Sequence, residues 1–320
     1  MSSYVRDVVA FVSALGYKEV ACVVGHDFGS PLAACCALVR PDLFGKLVMM
    51  SAPFPGPPPL PFKTPISDIP SSLKPVEQPP RVHEQLDRMF ASMSPPRMHY
   101  QHYFASSKAA KDMDLPVPQL TQFLRDYFHT KSADWLEASK PEMLPRPLQG
   151  FTPTEAEKLP VYYIMPRGED MPSVVQGSSH DEFTSAGGKA CKWMTDEDIA
   201  VYAKEYYRQG FQGGLNMYRC ATGDINIPLG GSENTNDEPH KDYVSDFALF
   251  SGSKITVPAL FIAGALDWGP YQIPGSMQKM QEVCTDFKGV IFVPGAGHWV
   301  QQEKSMEVAS HLRNFIDGGL

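Results

Sequence analysis

The first fifty residues of the chain carry two different spacings of apolar side chains. Over residues 5–15 they recur every three or four positions, which predicts an amphipathic helix that ends at Gly16. Strands are predicted at 19–24 and 46–51 from the apolar runs at 20–24 and 47–50, and a helix-like segment lies between them at 30–39. A strand, a helix and a strand joined in this order predict a parallel sheet.

The same alternation returns near the end of the chain. Residues 257–263 and 289–293 predict two further buried strands, and helices are predicted around 274–283 and over 303–316. The two ends of the chain therefore predict a single α/β unit that is built on a mainly parallel sheet.

The middle of the chain has a different character. Eleven prolines lie between Pro53 and Arg81, and helical periodicity follows them. This periodicity covers 82–93, 98–112, 116–128 and 195–209. A proline-rich stretch can be a ligand for an SH3-like partner, but we interpret it as an ordered excursion from the sheet. The predicted organisation is an α/β core formed by 1–53 and 251–320, with a proline-rich excursion and a helical cap at 54–250.

Composition excludes several classes of protein. Hydrophobic residues make up 43% and charged residues 20% of the 320, as in ordinary globular proteins. A formal net charge of −8 offers no basic surface for nucleic acid. No apolar stretch is long enough to span a membrane, and no signal peptide is visible. The six cysteines lack metal-like spacing, so we expect reduced thiols in a soluble cytoplasmic protein.

The segment Gly25-His26-Asp27-Phe28-Gly29 lies between the first predicted strand and the next helix. A sharp turn in that context is typical of a nucleophile elbow, whose central residue is strained and needs small neighbours such as Gly25 and Gly29. An ordinary tight turn is the alternative. Here the central residue is Asp27, where serine is usual. A carboxylate nucleophile attacks saturated carbon and leaves an alkyl ester, so this substitution changes the expected chemistry.

Two more polar residues follow predicted strands. Asp267 lies in the segment that follows the strand at 257–263, and His298 lies in the segment that follows the strand at 289–293. Asp267 could instead cap the next segment and His298 could be a surface residue. Nucleophile, acid and histidine in this order, each at the carboxyl end of a strand, favour a catalytic triad.

At this point the chain resembles the epoxide hydrolase family of the α/β-hydrolase fold, which shares its elbow with haloalkane dehalogenases. The elbow residues 25–29 are similar to the family's Gly-His-Asp-Trp-Gly, with phenylalanine in place of tryptophan. Tyr100-Gln101-His102-Tyr103-Phe104 and Gly213-Gly214-Leu215-Asn216-Met217-Tyr218-Arg219 resemble the segments that carry the two ring-opening tyrosines. The approach to the second segment, 194–211, is also similar, so the resemblance runs from the first helix to the last. It implies an α/β-hydrolase core with a helical cap inserted between core strands.

The resemblance also implies roles for five residues. Asp27 would attack an epoxide carbon while Tyr100 and Tyr218 bind the ring oxygen, because a phenol can hydrogen-bond the developing alkoxide and release its proton. His298, oriented by Asp267, would then activate the water that hydrolyses the ester to a vicinal diol. Three other tyrosines compete for the ring-opening role: Tyr103, Tyr162 and Tyr163.

The resemblance implies a substrate pocket and no cofactor. The backbone N–H of Phe28 would support the charge on the Asp27 side. Four residues would form the pocket wall or its rim: Phe28, Pro53, Phe54 and Trp299. The substrate would be a small-molecule epoxide of a lipid, a xenobiotic or a secondary metabolite. No cofactor is needed, and scattered histidines and acids do not form a metal site.

The chain departs from the family before its first helix. Family members place three or four strands, a helix and a His-Gly-x-Pro loop there, and that loop supplies the second oxyanion donor. Without these strands, 21–24 is expected to be an exposed apolar edge. The edge could be covered by an N-terminal part of a longer product or by a partner or second copy, or the chain could be an inactive relative. Two alternatives to epoxide hydrolysis stay open: a haloalkane dehalogenase-like hydrolase and a truncated, non-catalytic relative that acts as a binding protein.

Overall fold

The computed structural model describes residues 1–57, 82–138, 144–150, 152–185, 191–222 and 249–319. Most of the proline-rich excursion, 58–81, lies outside the described residues. In chain order the strands are β1 (Val23–His26), β2 (Leu47–Met50), β3 (Arg97–His99), β4 (Ile164–Pro166), β5 (Ala259–Gly264) and β6 (Phe287–Val293).

The helices lie between these strands and after them. They are α1 (Ser2–Ala14), α2 (Gly29–Val39), α3 (Val82–Ala91), α4 (Tyr100–Ala105), α5 (Ala109–Asp112), α6 (Val117–Thr130), α7 (Ala133–Ala138), α8 (Pro153–Ala156), α9 (Met171–Ser185), α10 (Asp196–Gln209), α11 (Gln212–Thr222), α12 (Ser276–Val283), α13 (Val300–Glu303) and α14 (Ser305–Ile316). A short 3-10 turn, Gly269–Tyr271, follows β5.

The main sheet has the order β1-β2-β5-β6, and every neighbouring pair is parallel. This confirms the α/β fold with a mainly parallel sheet. His26 lies opposite Met50, and Met50 lies opposite Ile262. Gly264 at the end of β5 lies opposite Val293 at the end of β6. The carboxyl ends of the strands therefore lie along one edge of the sheet, where α/β folds place their sites.

Apolar layers cover both faces of this sheet. One layer, which includes Phe261 of β5, packs against α1, α2 and α12. The other includes Ile262 and packs against α14. All six residues of β5 are buried, which explains the unbroken apolar run in its sequence.

A second apolar core lies within the helical middle of the chain. It includes Leu120, Tyr163 and Met165, and it also contains Trp268 from the loop after β5. This core therefore continues onto the carboxyl edge of the main sheet.

Three local predictions were wrong in detail. Residues 98–112 do not form one helix, because β3 pairs with β4 in an antiparallel ribbon and only α4 and α5 are helical. The closing helix is interrupted at Lys304. The first strand begins at Val23 and not at residue 19, and Val20 forms only an isolated bridge.

Among the described strands, β1 is the one at an edge of the main sheet next to β2, and its residue Val24 is 42% exposed. A partner that covers this strand stays a prediction. Among the described helices, none has the length and apolar content that crossing a membrane requires.

Candidate active site

The turn after β1 has the strained geometry of a nucleophile elbow. Asp27 has a φ of 52°, in the left-handed region that non-glycine residues seldom adopt. Its N–H donates to the Met50 carbonyl at 3.1 Å. A Cβ on Gly25 would lie 1.9 Å from the Gly29 carbonyl oxygen, whereas a Cβ on Gly29 would meet nothing. The elbow thus requires glycine at position 25 for close backbone approach, and the expected requirement at position 29 is not seen.

Asp267 and His298 lie together at the ends of β5 and β6. The His298 Nδ1 and an Asp267 carboxylate oxygen are 3.1 Å apart, and both side chains are buried. The Gly269 N–H donates to the same carboxylate oxygen at 2.7 Å. Burial alone would raise the pKa of Asp267, but the charge of His298 and these hydrogen bonds hold the pKa below its usual value. Asp267 is therefore an ionised group that orients the imidazole.

The other imidazole nitrogen of His298 lies toward Asp27. Its Nε2 lies 3.5 Å from an Asp27 carboxylate oxygen. The His298 N–H donates to the Lys131 carbonyl at 2.8 Å, and the His298 carbonyl lies 2.7 Å from His26 Nε2. The backbone of the histidine is thus held from both sides while its ring joins Asp267 to Asp27.

Tyr100 on α4 and Tyr218 on α11 lie near Asp27, on the helical part of the chain. Their ring centroids are 5.9 Å apart, and the ring of Tyr218 meets Phe28 edge-on at 4.7 Å. Burial raises the pKa of both phenols well above the usual value, and the negative charge of Asp27 raises both further. Both phenols are therefore protonated and close enough to the carboxylate to feel its charge.

The three competing tyrosines have different surroundings, and the charge of Asp27 also adds to the burial that raises the pKa of Tyr163. The Tyr103 hydroxyl donates to an Asp112 carboxylate oxygen at 3.1 Å. Tyr162 and Tyr163 are buried beside one another, and the ring of Tyr163 lies 5.4 Å from that of Tyr100. The Tyr163 carbonyl also accepts the Tyr100 N–H at 2.9 Å. Tyr163 therefore supports Tyr100 through both its backbone and its ring.

The four pocket-wall candidates have different surroundings. Phe28 contacts Tyr218, and the Trp299 ring lies 4.8 Å from the His298 ring. The indole N–H of Trp299 donates to the Phe128 carbonyl at 2.9 Å, which fixes the ring. Phe54 is buried in the apolar layer between the sheet and α1, α2 and α12, and Pro53 is half-buried.

Sequence reasoning missed two residues that hold the site together. The Glu303 carboxylate accepts three backbone N–H groups, from Ala133 at 2.8 Å, Gly297 at 3.0 Å and Trp299 at 3.1 Å. It therefore joins the histidine loop to the start of α7. Lys131 is a buried lysine beside Tyr100. The only sequence signal for Glu303 was weak: it is a glutamate close after His298. No spacing of residues indicated Lys131.

The chain is similar to known proteins along most of its length. A family model described as alpha/beta hydrolase fold matches residues 1–90. This chain is 26% identical to "Epoxide hydrolase B" of Mycobacterium tuberculosis, and the alignment covers 98% of this chain and 76% of that protein. It is 25% identical to "Epoxide hydrolase 3" of Siraitia grosvenorii, covering 98% of this chain and 74% of the relative.

A solved structure is similar over the same span. The "Epoxide hydrolase from an endophytic Streptomyces" superposes with a TM-score of 0.67 at 26% identity, covering 98% of this chain and 72% of that one. The likeness therefore includes both the sheet and the helical middle of the chain.

Proposed function

We propose that this chain, which belongs to the epoxide hydrolase family of the α/β-hydrolase fold, converts an epoxide to a vicinal diol through an alkyl ester on Asp27. One observation carries the proposal. The Asp27 carboxylate has His298 Nε2 at 3.5 Å, and its charge adds to the burial that raises the pKa of the Tyr100 and Tyr218 phenols. These contacts support Asp27 as the nucleophile, His298 as the base and the two phenols as acids.

In the first half of the reaction, an Asp27 carboxylate oxygen forms a bond to an epoxide carbon. The carbon–oxygen bond of the ring breaks, and the ring oxygen takes a proton from a phenol of the tyrosine pair. The products are an ester on Asp27, a hydroxyl on the substrate and a phenolate. Negative charge therefore moves from the carboxylate to the tyrosine side of the site.

In the second half, His298 Nε2 takes a proton from water, and Asp267 stabilises the resulting imidazolium. The hydroxide attacks the carbonyl carbon of the ester, with the Phe28 N–H as a donor to the oxyanion. The bond from that carbon to the alkyl oxygen breaks and releases the diol. The two hydrogens of the water end on the second hydroxyl and, through His298, on the phenolate.

The proposal also assigns different parts of the site to two parts of the chain. We assign 1–53 and 251–320 to the catalytic core and 54–250 to the excursion and cap, with the nucleophile, acid and base on the core and both tyrosines on the cap. The six free thiols, two of them adjacent in α2, support a reducing compartment such as the cytosol.

The test is intact-mass measurement on a His298→Gln variant exposed to a panel of epoxides and haloalkanes. Without the base, alkylation still proceeds and hydrolysis does not, so one equivalent of epoxide mass is expected on the protein. The His298→Gln, Asp27→Asn double variant is the matched control and is expected to stay unlabelled. Peptide mapping locates the adduct.

Two outcomes would contradict the proposal. Labelling by haloalkanes alone would identify a dehalogenase-like hydrolase. A folded His298→Gln protein that no compound of the panel labels would favour a non-catalytic binding protein.

A further inference from the structure

The position of Lys131 is unusual for a lysine. It lies between α6 and α7 and is only 6% exposed, and among the residues that the structure describes it is the one buried lysine. Its Nζ donates to the Tyr127 hydroxyl at 2.9 Å. Within the same described residues, Lys131 takes part in no ion pair. A buried ammonium group without a carboxylate needs another source of stabilisation.

Aromatic faces supply that stabilisation. Four tyrosine rings surround the Lys131 Nζ, with centroids at 4.6 Å for Tyr127, 5.3 Å for Tyr163, and 5.6 Å for both Tyr100 and Tyr162. A cation within about 6 Å of a ring centroid is attracted by the negative face of the ring. One of these rings, Tyr100, belongs to the tyrosine pair that faces Asp27.

The backbone of Lys131 reaches the other half of the site. Its carbonyl accepts the His298 N–H at 2.8 Å. A Cβ on Gly297 would lie 2.5 Å from the same carbonyl oxygen, so the two loops are in close contact. The backbone of Lys131 is therefore fixed relative to His298, and its ammonium group is held by the Tyr127 hydroxyl.

The proposed chemistry gives this charge a use. Opening the epoxide transfers negative charge from Asp27 to a phenol, and the phenols are buried where an unpaired charge is costly. Tyr100 lies against the ammonium group, whereas Tyr218 makes no contact with it among the described cation–ring pairs. The Tyr100 ring centroid lies 5.6 Å from the Lys131 Nζ, and a positive charge at that range would stabilise negative charge that develops on this ring.

We propose that Lys131 is a positioning residue that selects Tyr100 as the proton donor for ring opening and stabilises the Tyr100 phenolate that results. The inference rests on the proposed function. The step is balanced by the scheme above: the proton leaves Tyr100 for the ring oxygen, and Lys131 keeps its own protons throughout.

The test measures alkylation apart from hydrolysis. In the His298→Gln background the ester accumulates, so quench-flow mass spectrometry with an epoxide that labels this variant gives the alkylation rate directly. Adding Lys131→Met is expected to slow alkylation by about 10- to 100-fold. Lys131→Gln retains a donor to Tyr127 but no charge, and it is expected to show the same loss. Lys131→Arg is expected to restore most of the rate.

A double-mutant cycle separates this role from a structural one. In a Tyr100→Phe background, Lys131→Met is expected to change alkylation by less than about 3-fold, because no Tyr100 phenolate forms. In a Tyr218→Phe background the full loss is expected to persist. Lys204→Met removes an exposed lysine from α10 and serves as the matched control for loss of one positive charge.

The outcomes are distinct from those of the first test. If His298→Gln is labelled and neither Lys131→Met nor Lys131→Gln slows labelling, this inference is wrong and the proposed function stands. The same holds if the loss is equal in the Tyr100→Phe and Tyr218→Phe backgrounds. If His298→Gln itself is never labelled, both fail together.

Discussion

The two sides of the candidate site are held in place by different forces. On the sheet side, Asp27, Asp267 and His298 follow strands whose register aligns them, and backbone hydrogen bonds fix each loop. On the helical side, Tyr100 and Tyr218 are held mainly by ring-to-ring packing with neighbours such as Phe104. Short glycine-containing motifs therefore predict the positions of the residues on the sheet side. The positions of the tyrosines on the helical side depend on packing between segments that are distant in the sequence.

The largest expected effect on activity is that of a substitution at Asp27, the proposed nucleophile on the sheet side. Asp27→Asn keeps the size of the side chain and removes its charge, so turnover is expected to fall by at least about 10⁴-fold. The fold is expected to persist, since the Asp27 N–H bond to Met50 involves only the backbone. Steady-state diol formation and a thermal melt measure the two effects. A loss of only a few-fold would place the nucleophile elsewhere.

The sheet side also predicts a pH dependence of stability through His26. Burial, and next the charge of His298, lower the pKa of His26 to about 4. The unfolded chain has a histidine pKa of about 6.5, so between these values the unfolded state binds a proton that the folded state does not. Stability is therefore expected to fall as the pH drops from about 6.5 to about 4, by about 3 kcal/mol in total.

Urea unfolding of the protein and of His26→Gln between pH 4.5 and 7.5 measures this dependence. Glutamine retains a donor for the His298 carbonyl but does not titrate, so the variant is expected to lose most of the slope. Equal slopes for the two proteins would show that another group is responsible.

The helical side predicts a smaller effect for each tyrosine. Tyr100→Phe and Tyr218→Phe each remove a hydroxyl and keep the ring, so packing is expected to survive and alkylation to slow by about 10²-fold. Tyr103→Phe is the matched control, because its hydroxyl donates to Asp112 and not toward Asp27. A comparable loss of activity in Tyr103→Phe would contradict this assignment of the phenols.

The smallest effect is expected where the two sides meet. Glu303→Leu leaves the N–H groups of Ala133, Gly297 and Trp299 without their acceptor, and burial makes that loss costly. The free energy of unfolding is expected to fall by about 1–3 kcal/mol. Glu303→Gln keeps one acceptor oxygen and is expected to lose less. Chemical denaturation ranks the variants, and equal stabilities would remove Glu303 from this role.

The sequence was sufficient where local pattern decides structure. β5 and the second half of β6 are apolar runs, and Asp267 and His298 lie in the loops that follow them, so the fold and the candidate residues could be predicted together. Residues 98–112 could not be predicted in this way, because β3 forms only by pairing with β4, which lies 65 residues further along. The aromatic surroundings of Lys131 likewise come from three separate segments of the chain, so no spacing reveals them.

The loop from Lys131 to Ala133 is attached to the histidine loop at both of its ends. The Lys131 carbonyl accepts the His298 N–H, and the Ala133 N–H donates to Glu303, which also binds Gly297 and Trp299. Any movement that lifts this loop off the sheet would release His298 from its backbone partner. In the proposed mechanism, such an opening would leave the base without its backbone partner, so substrate entry past this loop would be coupled to loss of the arrangement that hydrolysis needs. A substrate that enters without moving this loop would leave the hydrogen bond between His298 and Lys131 intact.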